Sequence, residues 1–466
     1  MKKIHKLAIV AAAAGGLLLS VTPASATPGP PSGYGFDGKA DLVVAGGSDT
    51  TYRAMVGLTD LYNSSPGCTV STAVGPDLNK CVYSANAGDP EDKNSQGNYD
   101  RDTVAQANPT GSGAGVASMN GFTGTAGSIA YAGSSGNVDF ARSSGGPKTT
   151  GGNNSTGNEL DSDTFWGYSQ DGIEVMGFEA RGTQLNSAAA LTPSDLYKIW
   201  NCDYTRWSDV PTLGITLNSA TDGPIVPWGL NSSSGTYGTF NTYLRTNGGA
   251  GATWTVNGQG CDRFLGTGSS TAPFENDIKP LFNNVGAGIS TDANSTNNPN
   301  NWIWFGSYGE LSTFNYKSNY QYPIGTGNTW NATPAAINGV LPSSSRILAN
   351  TYPIGRTLYH VTKNTDADCP GSTGSGVACN FTANPGPTLP SGTGTDLNVT
   401  GASTGKGGAV REFTRWLCRS GTAAQSIDPY TGKNYSGEIT GAINSAGFTV
   451  VPAALRTAGS ACAVKS

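Results

Sequence analysis

Histidine is almost absent from this chain, with two residues in 466. His5 lies in an N-terminal segment with the features of a secretory signal, so only His360 is expected in the mature protein. His360 lies in an apolar, strand-like run, where a lone histidine is usually a packed or surface residue. A Ser-His-Asp triad would have to use it, and no Gly-x-Ser-x-Gly elbow accompanies it. We therefore predict that the protein is not an enzyme and has no cofactor or metal.

Charged residues are also scarce, at 13% of the chain. The net charge of −5 and the pI near 5.1 argue against a nucleic-acid or anionic-membrane partner. This acidity does not exclude a local anion site, because backbone N–H groups and one arginine can bind an anion inside an acidic protein. No long apolar run follows the N-terminal segment, so no membrane span is predicted once the signal is removed.

The N-terminus predicts export. A basic start with three lysines precedes an apolar stretch over 7–21 and the small-residue motif Ala24-Ser25-Ala26, so we expect a signal peptide over residues 1–26. Residues 27–37, rich in proline and glycine, are predicted to be a disordered lead-in. No cysteine lies near the cleavage motif, which disfavours a lipid anchor. The protein is expected to be secreted, or periplasmic if the cell has an outer membrane.

The cysteines number eight, and none forms a Cys-x-x-Cys pair, which disfavours zinc and redox motifs. An even number in an exported protein indicates disulfides, although eight cysteines allow 105 pairings. Our prediction pairs nearest neighbours: Cys68–Cys81, Cys202–Cys261, Cys369–Cys379 and Cys418–Cys462.

One short turn, Gly46 to Tyr52, follows the apolar run 41–45, which is typical of a buried strand, and precedes a helical pattern. The free N–H groups at a helix start, with their partial positive charge, favour an anion. Ser48, Asp49, Thr50 and Thr51 therefore either cap the helix or line a binding site. The choice depends on whether the chain repeats this arrangement.

The arrangement is repeated twice. Ser112 lies in a glycine-rich turn before a short helical segment. Ser234, Gly235 and Thr236 lie between a strand-like run, 224–230, and a helical pattern. If the three helix starts converge, they form an uncharged, N–H-rich pocket for an oxyanion. Arg142, which precedes Ser143 and Ser144 in a hydroxyl-rich loop, is either an anion contact or a surface arginine.

Strands and helices alternate along the chain, which predicts the α/β class. Further strands are expected over 172–178, 302–305 and 352–361, and a helix over 192–200, which begins with Thr192, Pro193 and the capping-box residue Asp195. In such sheets, ligands bind at the carboxyl ends of strands, and all three turns occupy that position.

Six short motifs, in order, resemble those of the phosphate-binding proteins of ABC transporters, which have the type 2 periplasmic-binding-protein fold. They are Gly47-Ser48-Asp49-Thr50, Gly111-Ser112-Gly113-Ala114-Gly115, Val138-Asp139-Phe140, the helix with Leu191-Thr192 and Ile199-Trp200 that leads to Trp207-Ser208-Asp209, Ser234-Gly235-Thr236, and Tyr352-Pro353-Ile354. The resemblance implies two lobes with a ligand cleft between them, closing by a hinge. Lobe one would hold 38–168 plus 355–466, and lobe two 169–354.

Two charged positions depart from the family. The family's Ser-Asp pair, whose carboxylate accepts the proton of hydrogen phosphate, is Ser143-Ser144 in this chain. The family's arginine and aspartate before Ser-Gly-Thr are replaced by Leu230 and Ser232. The predicted ligand-binding residues are Ser48, Asp49, Thr50, Thr51, Ser112, Arg142, Ser143 and Ser144 from lobe one, and Ser234, Gly235 and Thr236 from lobe two.

The sequence thus predicts an exported, monomeric solute-binding protein that captures phosphate or a related small oxyanion for an ABC permease. Two alternatives stay open. The same fold could bind a different small ligand, for example an uncharged one, which the lost arginine and aspartate favour, or the chain could be a secreted structural or adhesive surface protein without a transport role.

Overall fold

The computed structural model describes residues 43–63 without 49, 82–84, 111–120, 140–187, 191–261 without 233, 290–311, 321–324, 328–363, 413–418 without 415, 435–457 and 460–465. Several predictions lie outside these residues: the signal peptide over 1–26, the lead-in over 27–37, the position of Asp49, and the disulfides Cys68–Cys81 and Cys369–Cys379.

The strands are β1 Val43–Gly47, β2 Val82–Ser84, β3 Phe140–Ser143, β4 Asp163–Phe178, β5 Val226–Pro227, β6 Trp302–Ser307, β7 Gln321–Ile324, β8 Asn328–Pro334, β9 Gly355–Lys363, β10 Thr449–Val450 and β11 Ala463–Lys465. The helices are α1 Tyr52–Asn63, α2 Ser112–Asn120, α3 Glu179–Asn186, α4 Pro193–Trp200, α5 Gly235–Asn247, α6 Tyr308–Glu310, α7 Ser344–Leu348 and α8 Ser436–Ser445. Short 3-10 turns cover Glu159–Asp161, Trp207–Asp209, Pro211–Leu213, Pro299–Asn301 and Ala453–Leu455.

One mixed sheet runs in the order β2-β1-β3-β9-β4-β6-β5, and the fold class is α/β, as predicted. β1 pairs in parallel with β2 and β3, whereas β9 is antiparallel to β3 and β4. β8, β10 and β11 also pair with β4. The parallel pairing of β1 and β3 places the loops that follow them, with Ser48 and Ser144, at one edge of the sheet.

The long strand β4 joins two hydrophobic cores. Its first part pairs with β9 as far as Gly172, opposite Gly355, and from Ile173 onward it pairs with β6. Trp166 of β4 packs in a core with Phe140, Leu358 and Phe413, which we call the first core. Ile173 and Val175, further along β4, pack in another core with Trp200, Trp302 and Trp304, which we call the second core. β4 therefore contributes to both cores, and we call the parts of the chain that pack around them the two packed bodies. A third, smaller cluster contains Phe165 of β4 and Val361 of β9.

The structure confirms the predicted start of α4 and two predicted disulfides. The side chain of Thr192 accepts a bond from Asp195 N at the start of α4, which confirms the predicted capping box. Cys202–Cys261 and Cys418–Cys462 are disulfides, which confirms two predicted pairs.

The observed bounds of two strands differ from the predicted ones. The strand predicted over 172–178 begins at Asp163, and the run 224–230 keeps only two strand residues, Val226–Pro227. The helix Glu179–Asn186 and the hairpin of β7 with β8 were not predicted, because neither has a strong periodic pattern. Among the described residues, no helix is long and apolar enough to cross a membrane.

Candidate functional site

The starts of α1, α2 and α5 come together at the boundary between the two cores. Thr50 Oγ1, two residues before α1, lies 3.5 Å from Thr236 Oγ1 in the first turn of α5. Ser112 Oγ, at the start of α2, lies 3.3 Å from Ser144 Oγ and accepts a 3.0 Å bond from Ser144 N. The structure therefore brings together hydroxyls from all three predicted turns.

Gly235 permits the closest approach in this cluster. A Cβ atom at Gly235 would overlap Ser144 Oγ and lie 2.6 Å from Ser112 Oγ and 2.7 Å from Gly145 N. The start of α5 is thus packed directly against the loop after β3 and the start of α2. Only a residue without a side chain fits there.

The first turn depends on a second close glycine contact. Gly47 has a φ of +120°, which favours glycine, and its carbonyl accepts a 3.0 Å bond from Gly111 N. A Cβ at Gly115 would lie 2.5 Å from Gly47 Cα and 2.9 Å from Gly46 O. Helix α2 therefore lies directly on the end of β1, which places Ser112 beside the turn.

Arg142 is buried, so the alternative that it is a surface arginine is wrong. Its Nε donates to Ser48 O at 3.2 Å, and its Nη1 and Nη2 donate to Ala45 O at 3.5 Å and Gly47 O at 3.4 Å. The guanidinium also lies 5.1 Å from the ring centroid of Tyr52. These contacts show that Arg142 stabilises the turn after β1, and its role as an anion contact stays a prediction.

A second buried arginine, Arg356, lies at the start of β9 and was not among the predicted site residues. Its Nη1 donates to Thr236 Oγ1 at 2.5 Å and to Ser144 O at 3.3 Å. Its Nε and Nη2 donate to Asp171 Oδ2 at 2.9 Å and 2.6 Å. Asp171 also accepts bonds from Ser307 Oγ at 2.9 Å and Gly309 N at 3.0 Å. The junction between the cores thus contains a buried ion pair.

The sequence offered only a weak signal for this pair. Arg356 follows the Tyr352-Pro353-Ile354 motif, and Asp171 precedes the predicted strand 172–178. Both residues therefore lie in or beside predicted strands, and nothing in the sequence indicates that they form a pair. Their meeting depends on the register of β4 and β9, which places Asp171 opposite Arg356.

The remaining predicted residues fall in three groups. Ser234 caps α5, because its side chain accepts a 3.0 Å bond from Thr236 N. Thr51 Oγ1 donates to Ser48 O at 3.2 Å, and Ser143 Oγ donates to Gly145 O at 2.8 Å, so both hydroxyls support their own turns. Ser48 is 1% exposed, and its Oγ has no hydrogen-bond partner among the described residues.

The cluster is buried, and the charged groups described at it are the Arg356–Asp171 ion pair and Arg142. Its hydroxyl residues and Arg356 are all buried: Ser48, Thr50, Thr51, Ser112, Ser143, Ser144, Ser234, Thr236 and Arg356. Burial also raises the pKa of Tyr168, on the neighbouring strand β4, above its ordinary value, so its phenol stays protonated. In the part of the chain that is described, no group of three or more His, Cys, Asp or Glu side chains is placed to hold a metal ion.

No model of a known protein family matches the sequence, and no curated protein matches it. Solved structures similar to this chain include an ABC-type phosphate transport receptor from Vibrio cholerae, with 16% identity over 70% of this chain and 88% of that one, and a TM-score of 0.38. A phosphate binding protein from Stenotrophomonas maltophilia has 15% identity over 90% of this chain and 91% of that one, with a TM-score of 0.37. The first is named a phosphate transport receptor and the second a phosphate binding protein.

Proposed function

We propose that this protein is an exported solute-binding protein that captures a small oxyanion, with phosphate as the first candidate, for uptake by an ABC permease. The main observation that supports this proposal is the convergence of the starts of α1, α2 and α5 beside a buried arginine. In this proposal the two packed bodies are the two lobes, 38–168 plus 355–466 and 169–354, and the ligand binds between them.

The chemistry of the cluster suits an oxyanion. Each helix start contributes N–H groups and a partial positive charge, and the hydroxyls of Thr50, Ser112 and Thr236 add donors that need no net charge. The unpartnered Ser48 hydroxyl is a further donor that an oxyanion could satisfy. Because these residues are buried, each interaction with an anion is stronger than it would be in water.

A second candidate ligand is an uncharged polar molecule bound by the same fold. The observation that favours it is the pairing of Arg356 with Asp171 at 2.6 Å, which leaves little net charge at the junction. Hydroxyls both donate and accept, so the cluster could also hold a polyol or a similar neutral ligand.

Isothermal titration calorimetry on the mature protein tests the proposal. The protein is unfolded in denaturant, dialysed and refolded to remove any carried-over ligand, and then titrated with phosphate, sulfate, a phosphate monoester and a neutral polyol. We expect phosphate to bind with a 1:1 stoichiometry, and the ester to be recovered without hydrolysis.

Three other results would contradict the proposal. Binding of the polyol without any oxyanion would replace it with the second candidate. Hydrolysis of the ester would make the protein an enzyme. Absence of binding to every compound by a correctly refolded protein would favour a structural or adhesive surface role.

A further inference from the structure

We propose that Arg356 is the residue that supplies positive charge to the bound ligand, and that Asp171 is the positioning residue that fixes its guanidinium. This inference rests on the proposed oxyanion function and goes beyond it, because it assigns the charge to a residue outside all three turns.

The location of Arg356 is the first observation. It begins β9, at the point where the sheet passes from the second core to the first, and it is 7% exposed. One nitrogen, Nη1, donates both to Ser144 O in the loop after β3 and to Thr236 Oγ1 at the start of α5. The same Nη1 is therefore in contact with both sides of the cluster. Nη1 carries two hydrogens and these two bonds use both, so an oxyanion among these hydroxyls would contact Arg356 by taking the place of Thr236 Oγ1 as acceptor.

The rigidity of the guanidinium is the second observation. Asp171 Oδ2 accepts bonds from both Nε and Nη2 of Arg356, and the same carboxylate is held by Ser307 Oγ and Gly309 N. Ser307 Oγ and Gly309 N thus hold the carboxylate in place, and its two bonds to Arg356 fix the plane of the guanidinium. Nη1 lies in the same plane and is directed toward Thr236. A preorganised donor of this kind contributes more to affinity than a mobile one, because less side-chain entropy is lost on binding.

The contrast with Arg142 is the third observation. The described hydrogen bonds of Arg142 include those to the carbonyl groups of Ala45, Gly47 and Ser48, which form the turn itself. Arg356 instead reaches a hydroxyl, Thr236 Oγ1, that can rotate to serve a ligand. Of these two arginines, Arg356 is therefore the one that we expect to contact the anion.

The primary test is the affinity of Arg356→Gln for inorganic phosphate, measured by calorimetry beside the wild type. Loss of a charge-assisted hydrogen bond predicts affinity weaker by about 10- to 100-fold. Arg346→Gln is the matched control, since it removes the same charge from an exposed site on α7 and should change the affinity by less than about twofold. Wild-type affinity in a folded Arg356→Gln protein would overturn the inference and leave the oxyanion function standing. Absence of phosphate binding in the wild type would overturn both.

A second pair of variants decides the matter if Arg356→Gln does not fold. Arg356→Lys and Arg142→Lys both keep their charge and lose the planar fork. We expect the loss of phosphate affinity to be larger for Arg356→Lys, and the loss of thermal stability to be larger for Arg142→Lys. The opposite order of affinities would assign the anion contact to Arg142 and overturn the inference.

The role of Asp171 is tested by rescue. Asp171→Asn keeps an acceptor oxygen for Arg356, whereas Asp171→Ala keeps none. A positioning role predicts tighter phosphate binding by Asp171→Asn than by Asp171→Ala, when both are compared at a temperature where each is folded. Equal affinities of the two variants would overturn the positioning role.

Discussion

His360 is fully buried among aromatic rings, with centroid distances of 4.3 Å to Phe140 and 5.6 Å to Phe413. Its Nε2 lies 2.7 Å from Thr414 Oγ1. Burial lowers the pKa of His360 from 6.5 to about 3, because the charged imidazolium is poorly solvated there. The only histidine of the expected mature chain is therefore a neutral packed residue, which is one of the two alternatives that the sequence left open.

This burial predicts a pH-dependent stability. Below pH 6.5, the unfolded chain binds a proton at His360 that the folded chain does not, so the free energy of unfolding falls as the pH falls from 6.5 toward 3. His360→Gln removes that titration. When the pH is lowered from 7 to 4, we expect the free energy of unfolding to fall by about 3 kcal/mol less in the variant than in the wild type. Urea denaturation at four pH values measures this difference.

A second buried group acts in the opposite direction and provides a check. Burial is the main cause that raises the pKa of Asp163 from 3.8 to about 7, so its contribution to stability is lost as the pH rises from 3.8 toward 7. Because Asp163 is present in both proteins, it cancels in the comparison. Parallel stability curves for wild type and His360→Gln would contradict the assignment to His360.

At the scale of elements, the packing of α2 on β1 decides where the site forms. Glycines on both elements let the helix backbone approach the strand, and this approach places Ser112 beside Ser144. Helix propensity alone would disfavour α2, since Gly113 and Gly115 both lie inside it. Tertiary packing therefore outweighs propensity in this element.

Gly115→Ala tests that packing. The added Cβ would lie 2.5 Å from Gly47 Cα, and backbone atoms cannot move aside cheaply, so we expect a loss of about 1–3 kcal/mol in the free energy of unfolding. Gly441→Ala in α8 is the control, because a Cβ there meets no atom within 4 Å, and it should stabilise the protein slightly. Chemical denaturation of both variants gives the comparison. Similar stabilities for the two variants would be inconsistent with tight packing of α2 on β1.

At the scale of the whole molecule, the candidate site lies where the two packed bodies meet. Residues of the loop after β3 and of α2 lie on one side, and the start of α5 lies on the other, with Gly235 at the point of contact. Opening of a hinge between the bodies would separate Thr50 from Thr236 and Arg356 from one of its two Nη1 partners. Ligand capture and closure of the bodies are therefore expected to be coupled.

The variant Gly235→Ala tests closure of the two bodies independently of folding. Its Cβ would overlap Ser144 Oγ, and a small opening between the bodies relieves that overlap without unpacking either core. We expect phosphate affinity to fall more than about tenfold while the unfolding transition changes by less than about 1 kcal/mol. Gly238→Ala, in the same helix and with no atom within 4 Å of its Cβ, is the control and should bind as the wild type does. Calorimetry and thermal unfolding on both variants measure the two effects. Unchanged affinity of Gly235→Ala would contradict the coupling.

The sequence by itself determined the α/β class, the capping box of α4 and the three hydroxyl-rich turns, because each depends on residues close together in the chain or on a simple spacing. It predicted two of the disulfides by pairing nearest neighbours, and the tertiary structure decided that those pairs form and that the turns converge. It could not find the Arg356–Asp171 pair. Those residues are 185 positions apart, and only the register of β4 with β9 places them together. It also left Arg142 open, since an arginine in a hydroxyl-rich loop can face solvent or contact an anion. Tertiary structure excluded the surface alternative by burying the guanidinium against the carbonyls of the turn after β1, and the anion contact stays a prediction.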